Sequence, residues 1–183
     1  MQAQGIQTTS SQELGEMIGI SAAQIRKDLS QFGEFGKQGK GYTISFLVGQ
    51  LRNILNVVNV WDMALVGAGN LGTAIAHYPD FKLHGFHVAM IFDNDPQRIG
   101  TQLGGYTICS TSQMVEKIQT ASIKIAMMTV PARAAQSVAD DLIKAGIKAI
   151  LNYAPITLNV PEDVHVQYID PIIFLQRMTY FLK

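Results

Sequence analysis

The sequence GAGNLG, residues 67–72, has the G-x-G-x-x-G spacing that accommodates the phosphates of a dinucleotide. A buried strand, WDMALV, is predicted directly before it and a helix directly after it. The first glycine would permit a tight turn, the second would leave room for the pyrophosphate, and the third would let helix and strand pack closely. Free N–H groups at the helix N-terminus would face the phosphates. The motif therefore predicts a cofactor site at Gly67, Ala68, Gly69, Asn70, Leu71 and Gly72.

A second predicted strand, FHVAMIFD, ends in Asp93, 21 residues after Gly72. A carboxylate at this point can accept hydrogen bonds from the adenosine ribose and would repel a 2′-phosphate. The pattern therefore favours NAD, as NADH or NAD⁺, over NADP(H). Two alternatives stay open: a doubly wound domain that binds no dinucleotide, and a domain that binds coenzyme A.

The sequence up to residue 170 continues to alternate between strand and helix patterns, which is typical of a doubly wound parallel sheet. Strands are predicted at YTIC, IKIAMMTV, KAILNYAP and HVQYID, and helices at TSQMVEKI and ARAAQSVADDLIKAG. The helix after the glycine motif should carry Leu71, Ala74, Ile75 and Tyr78 on one face. Ligands bind outside the carboxyl ends of such strands. The expected cleft residues therefore include Thr129, Val130, Pro131 and residues 152–155.

A catalytic reading has little support in the residues. Proton exchange with a substrate usually needs a His, Lys or Tyr in a suitable position, and the sequence gives no convincing orienting partner for His77, His84, His87 or His165. Residues 171–183 leave no room for a substrate domain after the sheet. We therefore expect a protein that is not an enzyme. The alternative is a small NAD-dependent oxidoreductase.

The first sixty residues predict a different kind of site. Ser10 with Glu13, and Ser21 with Gln24, fit two capping boxes that would begin two short helices, and Gly19 is placed to end the first helix. Two short helices joined by a tight turn predict a helix-turn-helix, whose second helix enters the major groove of DNA. The candidate DNA contacts on that helix are Gln24, Arg26, Lys27 and Ser30.

The stretch FGEFGKQGKGY follows the second helix and contains four glycines that allow tight turns. Lys37 and Lys40, with Gln38 between them, would lie at the tip of a hairpin. A basic hairpin in this place predicts a wing that contacts phosphates or the minor groove. The alternative is that the polar helix face is only a solvated surface.

Residues 45–56 should form a further helix that joins the two domains. Its apolar face is expected to carry Phe46, Leu47, Leu51, Ile54 and Leu55.

Charge and composition agree with two domains. The chain has 183 residues, a formal net charge of zero and 48% hydrophobic residues. Any attraction to DNA must therefore come from a local patch. Residues 24–52 hold five basic and two acidic residues, whereas residues 59–183 hold nine basic and ten acidic residues. One cysteine, Cys109, and no Cys/His cluster predict neither an internal disulfide nor a zinc site, and a reducing cytoplasm is the expected compartment.

The sequence resembles the Rex family, the redox-sensing transcriptional repressors of bacteria. The resemblance covers nearly all 183 residues. It is carried by the segments TSSQELGEMIGISAAQIRKDLSQFGEFGKQGKGY, GAGNLGTAIAHYPDF, FDNDPQRIGTQLGG, TVPARAAQSVADDLIKAGIKAILNYAP and NVPEDVHVQYIDP. It implies a homodimer that binds a palindromic operator in double-stranded DNA and releases it when NADH binds. It also implies that Tyr78 and Asp170 lie near the nicotinamide. No apolar run in the sequence approaches the roughly 18 residues of a membrane span, so no membrane partner is expected.

The resemblance has three departures. Members of the family usually carry about twenty further residues before this start, which form the first helix of the winged helix. Gln38 stands where many members have a basic wing residue. Pro171 stands where some have an aromatic residue against the nicotinamide.

The expected fold is α/β with three parts. Residues 1–58 should form an N-terminal winged-helix (helix-turn-helix) domain that lacks its first helix. Residues 59–170 should form a Rossmann-like doubly wound parallel-sheet domain that binds NAD(H). Residues 171–183, PIIFLQRMTYFLK, should form a C-terminal helix that is apolar nearly all round and must therefore be buried. The resemblance implies a swapped dimerisation helix; the alternative is a helix placed between this chain's own domains.

Overall fold

The computed structural model describes residues 5–33, 35 and 41–182. The chain divides into two compact units, with the boundary between Asn59 and Val60. Within the described residues, no helix is both long enough and apolar enough to span a bilayer.

The N-terminal unit contains the predicted pair of short helices. Its described elements are β1 (Thr8–Thr9), α1 (Ser11–Ile18), α2 (Ala22–Ser30), β2 (Tyr42–Thr43) and α3 (Ile44–Ile54). The two short strands pair antiparallel, so the chain after the candidate wing returns to the segment that precedes α1. A helix-turn-helix is therefore held against a small two-stranded ribbon.

The ends of α1 are capped as predicted. The Ser10 hydroxyl accepts from the Glu13 N–H at 3.1 Å, and the Glu13 carboxylate accepts from the Ser10 N–H at 2.8 Å. The bond from the Ser10 N–H, followed by one that the Thr9 hydroxyl donates to the same carboxylate at 3.0 Å, holds the pKa of Glu13 below its usual value. Gly19 ends the helix in the left-handed conformation, with φ at 74°. Both predictions are therefore confirmed.

The second capping box is incomplete. Ser21 caps α2 by accepting from the Gln24 N–H at 3.2 Å. The Gln24 side chain does not return to the cap, because its amide donates to the Asp28 carboxylate at 2.6 Å along the helix. A bond to an ionised carboxylate is stronger than one to a neutral group, which explains the preference.

The expected apolar face of α3 is also wrong in detail. The buried residues of this helix are Ile44 and Leu47, whereas Phe46, Ile54 and Leu55 are exposed. The helix begins one residue earlier than predicted and ends two residues earlier. Periodicity alone could not tell which of two neighbouring apolar stripes faces the unit's interior.

The C-terminal unit is a seven-stranded sheet in the order β5-β6-β4-β3-β7-β8-β9 among the described residues. The pairs are parallel except for β5 with β6. The strand order reverses direction between β3 and β7, as in doubly wound folds. The strands are β3 (Trp61–Val66), β4 (Phe86–Asp93), β5 (Gln102–Leu103), β6 (Tyr106–Ser110), β7 (Ile125–Met128), β8 (Ala149–Asn152) and β9 (His165–Tyr168).

Helices cover both faces of this sheet, since alternate residues of each strand enter two different apolar clusters. Ala64 and Val66 pack with α5 (Met114–Ala121) and α6 (Ala132–Lys144), while Met63 and Leu65 pack with α4 (Asn70–Ala76). The predicted Rossmann-like architecture is therefore confirmed. Beyond α4, this second face carries an apolar cavity of about 580 Å³ over β3, β7, β8 and β9.

Several element boundaries differ from the predictions. β7 and β8 are shorter than predicted because apolar residues continue into buried loops, as at Ile123 and Ala154. The helix predicted from residue 111 begins as a 3₁₀ turn, Thr111–Gln113, capped by the Ser110 hydroxyl. α4 ends at Ala76, so Tyr78 lies beyond the helix whose face it was expected to extend.

The C-terminal helix, α7 (Pro171–Thr179), is shorter than the predicted thirteen residues. Its last N–H groups bond to carbonyls three residues back, which tightens the chain and ends the α-helix. Large apolar side chains from Ile172 to Leu182 are 55–79% exposed in the single chain. The strong apolar character is therefore not buried by this chain's own described residues.

We predict that Gly15→Ala destabilises the N-terminal unit, whereas Gly49→Ala does not. A Cβ at Gly15 would lie 2.4 Å from the Ile20 carbonyl oxygen in the turn between α1 and α2. Because this oxygen belongs to the backbone, relieving the clash would require the turn itself to move, which costs folding free energy. Gly49, on α3, has nothing within 4 Å of the added carbon. Its replacement should stabilise the helix by about 0.5–1 kcal/mol. Chemical denaturation followed by far-ultraviolet circular dichroism checks both; equal effects of the two variants would contradict the close approach.

Candidate functional site

A cleft of about 660 Å³ lies at the carboxyl ends of β3, β4 and β7. This is where the sheet topology places a ligand in a doubly wound fold. The cleft is bounded by the glycine turn on one side and by the start of α6 on the other. Six of the predicted cofactor residues line it: Gly67, Gly69, Asp93, Thr129, Val130 and Pro131.

The glycine turn is held together by contacts that only glycine permits. Gly67 has φ at 99°, in the left-handed region, and a Cβ there would lie 2.8 Å from the Thr129 carbonyl oxygen. A Cβ at Gly72 would lie 1.9 Å from the Gly67 carbonyl oxygen. The Thr129 hydroxyl donates to that same carbonyl at 2.8 Å and lies 3.1 Å from the Val66 carbonyl oxygen. Thr129 thus fastens β7 to the turn as well as lining the cleft.

Gly69 differs from these two glycines, because its missing side chain leaves open space. The nearest neighbour of an added Cβ would be Nη1 of Arg98, at 3.7 Å. The turn can therefore bring backbone N–H groups close to a phosphate, and α4 begins directly after it. This cradle fits the pyrophosphate of a dinucleotide.

Asp93 is more deeply placed than the sequence suggested. It is 6% exposed, and each carboxylate oxygen already accepts a backbone N–H: Ala68 at 2.6 Å and Asp95 at 2.8 Å. Nη1 of Arg98 lies 3.5 Å from the same oxygen that binds Ala68. The carboxylate therefore ties the glycine turn to the loop that follows β4.

Sequence reasoning missed several residues that line the cleft. The charged run after the second strand, DNDPQR, was a usable signal, because it follows the end of a strand that borders the ligand site. Arg133 could not have been singled out, since any residue in the first turn of α6 could face either way. The missed lining residues with polar side chains are Asn94, Asp95, Arg98, Thr111, Arg133, Ser137 and Asp141.

The remaining predicted cofactor residues lie outside the lining of this cleft. Ala68 is buried and offers its N–H to Asp93, while Gly72 serves the packing of α4. Asn70 and Leu71 belong to the first turn of α4. Residues 152–155 are also absent from the lining, and the buried Asn152 amide bonds to backbone atoms of Ala154 and Ile156.

Tyr78 and Asp170 do not line the cleft that contains the glycine turn. Tyr78 packs edge-on against Phe81, with ring centroids 5.1 Å apart, and lines a separate cavity of about 430 Å³. Asp170 caps α7 by accepting from the Ile172 N–H at 2.9 Å. Their expected position near a nicotinamide stays a prediction.

One histidine has the partners that the sequence did not reveal. Nδ1 of His87 lies 2.8 Å from the Asp62 carboxylate, and its Nε2 lies 3.1 Å from the Tyr106 hydroxyl. The expectation that no histidine has an orienting partner is therefore wrong. The three side chains come from the first or second residues of β3, β4 and β6. His87 is six residues before Asp93 on an extended strand, about 20 Å away from the cleft.

The candidate DNA contacts that are described lie on the exposed side of α2. Gln24, Arg26, Lys27 and Ser30 are all exposed. Nη1 of Arg26 donates to the Ser11 hydroxyl at 3.0 Å, and the Ser30 hydroxyl donates to the Lys27 carbonyl at 2.7 Å. Lys37, Gln38 and Lys40 lie outside the described residues. Among the described residues no group of three His, Cys, Asp or Glu side chains could hold a metal ion.

Comparison with known proteins covers both units. Residues 58–156 match the family model described as "CoA binding domain", and residues 1–30 match the model described as "Putative DNA-binding protein N-terminus". The chain is 52% identical over 179 residues to the redox-sensing transcriptional repressor Rex of Chloroflexus aurantiacus, covering 98% of this chain and 84% of the relative. It is 45% identical over 177 residues to Rex of Brevibacillus brevis, covering 97% and 86%.

Solved structures agree with these relatives. The crystal structure of RSP in complex with β-NAD⁺ and operator DNA is similar with a TM-score of 0.92 and 38% identity, over 98% of this chain and 83% of that one. RSP in complex with β-NADH is similar with a TM-score of 0.89 and 36% identity, over 98% and 84%. RSP is described as a Rex-family repressor.

We predict that Gly72→Ala destabilises the cofactor domain, whereas Gly69→Ala does not. Gly72→Ala should lower the melting temperature, because the added carbon meets the Gly67 carbonyl oxygen at 1.9 Å. Gly69→Ala should leave the melting temperature nearly unchanged, because its nearest neighbour is the end of a flexible arginine side chain. Differential scanning calorimetry measures both. A large loss of stability in Gly69→Ala would show that this turn is packed rather than open.

Proposed function

Because the chain belongs to the Rex family of redox-sensing transcriptional repressors, we propose that it binds operator DNA and releases it when NADH occupies the cleft. The observation that carries this proposal is the open glycine cradle at Gly69 in a unit joined to a helix-turn-helix. Residues 1–58 would serve as the DNA-binding domain, residues 59–170 as the NAD(H)-binding domain, and residues 171–183 as the dimerisation element. The family relatives and the complexes of RSP support this assignment.

In the cofactor domain, the glycine turn would hold the pyrophosphate. Its backbone N–H groups and the start of α4 offer positive electrostatic potential without a side chain in the way. Thr129, Val130 and Pro131 would border the ligand on the side of α6. When bound, the nicotinamide ring is positively charged in NAD⁺ and neutral in NADH. Groups near the ring can therefore bind the two forms unequally, which a ligand-driven switch requires.

In the DNA-binding domain, α2 would enter the major groove. Its exposed face carries Gln24, Arg26, Lys27 and Ser30, which are donors suited to phosphates and base edges. The candidate wing residues would add contacts from Lys37, Gln38 and Lys40. The Arg26 contact to Ser11 ties the recognition helix to α1, so the helix would meet DNA with its orientation already set.

We propose a homodimer built through α7. Its large apolar side chains face solvent in the single chain, and a helix of this composition is stable only when another surface covers it. The partner subunit would supply that surface. A palindromic operator would then match the twofold symmetry of the dimer.

We propose that the protein is a regulator located in the cytoplasm and that it is not an enzyme. The one described histidine with both an orienting carboxylate and a tyrosine, His87, lies near the amino end of β4, whereas the cleft lies at the carboxyl ends of the strands. It is therefore out of reach of a ligand bound on the glycine turn. The names of the relatives describe repressors.

Coenzyme A is the second candidate ligand, and the name of the domain model that matches residues 58–156 favours it. Coenzyme A shares the adenosine and pyrophosphate that the cradle would hold, but it carries a phosphate on the ribose. Direct competition between coenzyme A and NADH separates the two proposals, since tighter binding of coenzyme A would contradict redox sensing.

We predict that Lys27→Ala weakens operator binding and reduces its salt dependence. Removing one ion pair between a lysine and a DNA phosphate should lower the slope of log affinity against log salt by about 0.9. Lys144→Ala, an exposed lysine at the end of α6, is the matched control and should leave the slope unchanged. Fluorescence anisotropy across a salt series, with an operator selected from random DNA, measures this. Equal slopes for Lys27→Ala and the unmodified protein would remove α2 from the phosphate interface.

We predict that Phe174→Glu with Leu175→Glu on α7 converts dimers to monomers. Two charges would have to be buried in an apolar interface, which is strongly unfavourable. Gln176→Glu on the same helix adds a charge at a polar position and should keep the dimer. Sedimentation equilibrium gives the masses. A double variant that remains dimeric at micromolar concentration would place the dimer interface elsewhere.

A further inference from the structure

The last residue of β4 and the loop that follows it carry two carboxylates and one guanidinium beside the glycine turn. Asp93 and Asp95 both contact Arg98, with Nη1 3.5 Å from Asp93 Oδ2 and Nε 3.4 Å from Asp95 Oδ2. All three residues line the cleft, on the side where the adenosine of a bound dinucleotide would lie. They are the charged groups that a ribose substituent would meet first.

The two carboxylates are not equivalent. Asp93 is 6% exposed and accepts the Ala68 and Asp95 N–H groups, so it is committed to holding the turn. The Asp95 side chain is 37% exposed. Its Oδ1 accepts from the Gln97 N–H at 2.9 Å, which fixes the carboxylate without burying it. A ligand in the cleft can therefore reach Asp95 more readily than Asp93.

Arg98 connects this pair to the phosphate cradle. Its Nη1 lies 3.7 Å from the position that a Cβ on Gly69 would take, and its side chain is 43% exposed. A planar guanidinium can bind carboxylates and phosphates with the same set of donors. Arg98 can thus contact a pyrophosphate on Gly69 while Asp93 and Asp95 hold it.

The charges of the loop decide which adenosine ligands are accepted. Two carboxylates and one guanidinium leave a net charge of −1 beside the ribose. A phosphate monoester brings about −1.5 to −2 at neutral pH. A ribose with free hydroxyls can donate to a carboxylate, whereas a phosphorylated ribose meets like charge. NADPH and coenzyme A both carry such a phosphate.

From this arrangement, and resting on the proposed function, we infer that Asp95 sets the preference of the cleft for NADH over ligands with a phosphorylated ribose, and that it does so against the attraction of Arg98 for a second phosphate. Asp93 acts as a positioning residue that fastens the turn. Asp95 supplies the exposed negative charge that repels the extra phosphate. Arg98 supplies the positive charge that holds the pyrophosphate, and Asp95 limits how far that charge is available to a second phosphate.

Two substitutions should move the preference in opposite directions. Asp95→Asn removes the exposed negative charge and frees Arg98, so NADPH affinity should rise on the order of tenfold while NADH affinity changes by less than about twofold. The amide oxygen can still accept from the Gln97 N–H, which preserves the loop. Arg98→Gln removes the positive charge, so both ligands should bind more weakly, and NADPH should lose more than NADH.

Isothermal titration calorimetry with NADH, NADPH and coenzyme A, on the full chain and each variant, measures these affinities. Asp163→Asn is the matched control, because it breaks an ion pair with Lys148 that does not line the cleft. It should leave every affinity unchanged. Unchanged melting temperatures would show that each variant is folded, and a second replacement, Asp95→Ser, tests the same charge if Asp95→Asn is unstable.

The outcomes distinguish this inference from the proposed function. If the unmodified chain prefers NADH, and both Asp95 variants leave its preference over NADPH unchanged, Asp95 does not set it and the inference is overturned alone. If Arg98→Gln narrows the gap instead of widening it, the inferred role of the arginine is wrong. If the unmodified chain binds no NADH, or binds coenzyme A more tightly, the proposed function fails and the inference fails with it.

Discussion

The close approach of Gly72 to the carbonyl of Gly67 is the constraint on which the rest of the cofactor domain depends. A side chain at Gly72 would lie 1.9 Å from that oxygen, so the first turn of α4 packs directly on the end of β3. The Thr129 hydroxyl donates to the same carbonyl and brings the end of β7 to this point. Two neighbouring strands and one helix thus converge on a single peptide group. Gly69 lies between these two constrained glycines, and an added Cβ there would meet nothing nearer than Nη1 of Arg98 at 3.7 Å.

Charge is arranged around this turn in two layers. The buried Asp93 carboxylate accepts backbone N–H groups and stabilises the turn, whereas the side chains of Asp95 and Arg98 are exposed at the surface of the cleft. A buried acceptor that is bonded to backbone N–H groups contributes rigidity, and an exposed charge pair contributes selectivity. The same loop can therefore preserve the shape of the turn and discriminate among ligands without conflict between the two roles.

Much of this site could be predicted from the sequence, because its signals are local. The glycine spacing, the apolar strand before it and Asp93 at the end of the next strand all follow from short-range backbone requirements. The Ser10–Glu13 capping box and the end of α1 at Gly19 could be predicted for the same reason. Contacts between distant segments were not readable. The partners of His87, for example, come from two other strands. The sequence also could not show that the Asn152 amide bonds within its own loop, or which apolar stripe of α3 is buried, because several local arrangements fit the same residues.

On the proposed function, a ligand in the cleft controls how tightly the helix-turn-helix binds DNA. Coupling of this kind is reciprocal, since a ligand that weakens DNA binding must itself be bound more weakly by the DNA complex. The most direct test is the affinity of the chain for a selected palindromic operator, measured at a fixed salt concentration with NADH or NAD⁺ at saturation. We expect that NADH lowers operator affinity and that NAD⁺ does not. NADH that binds the cleft and leaves operator affinity unchanged would contradict it.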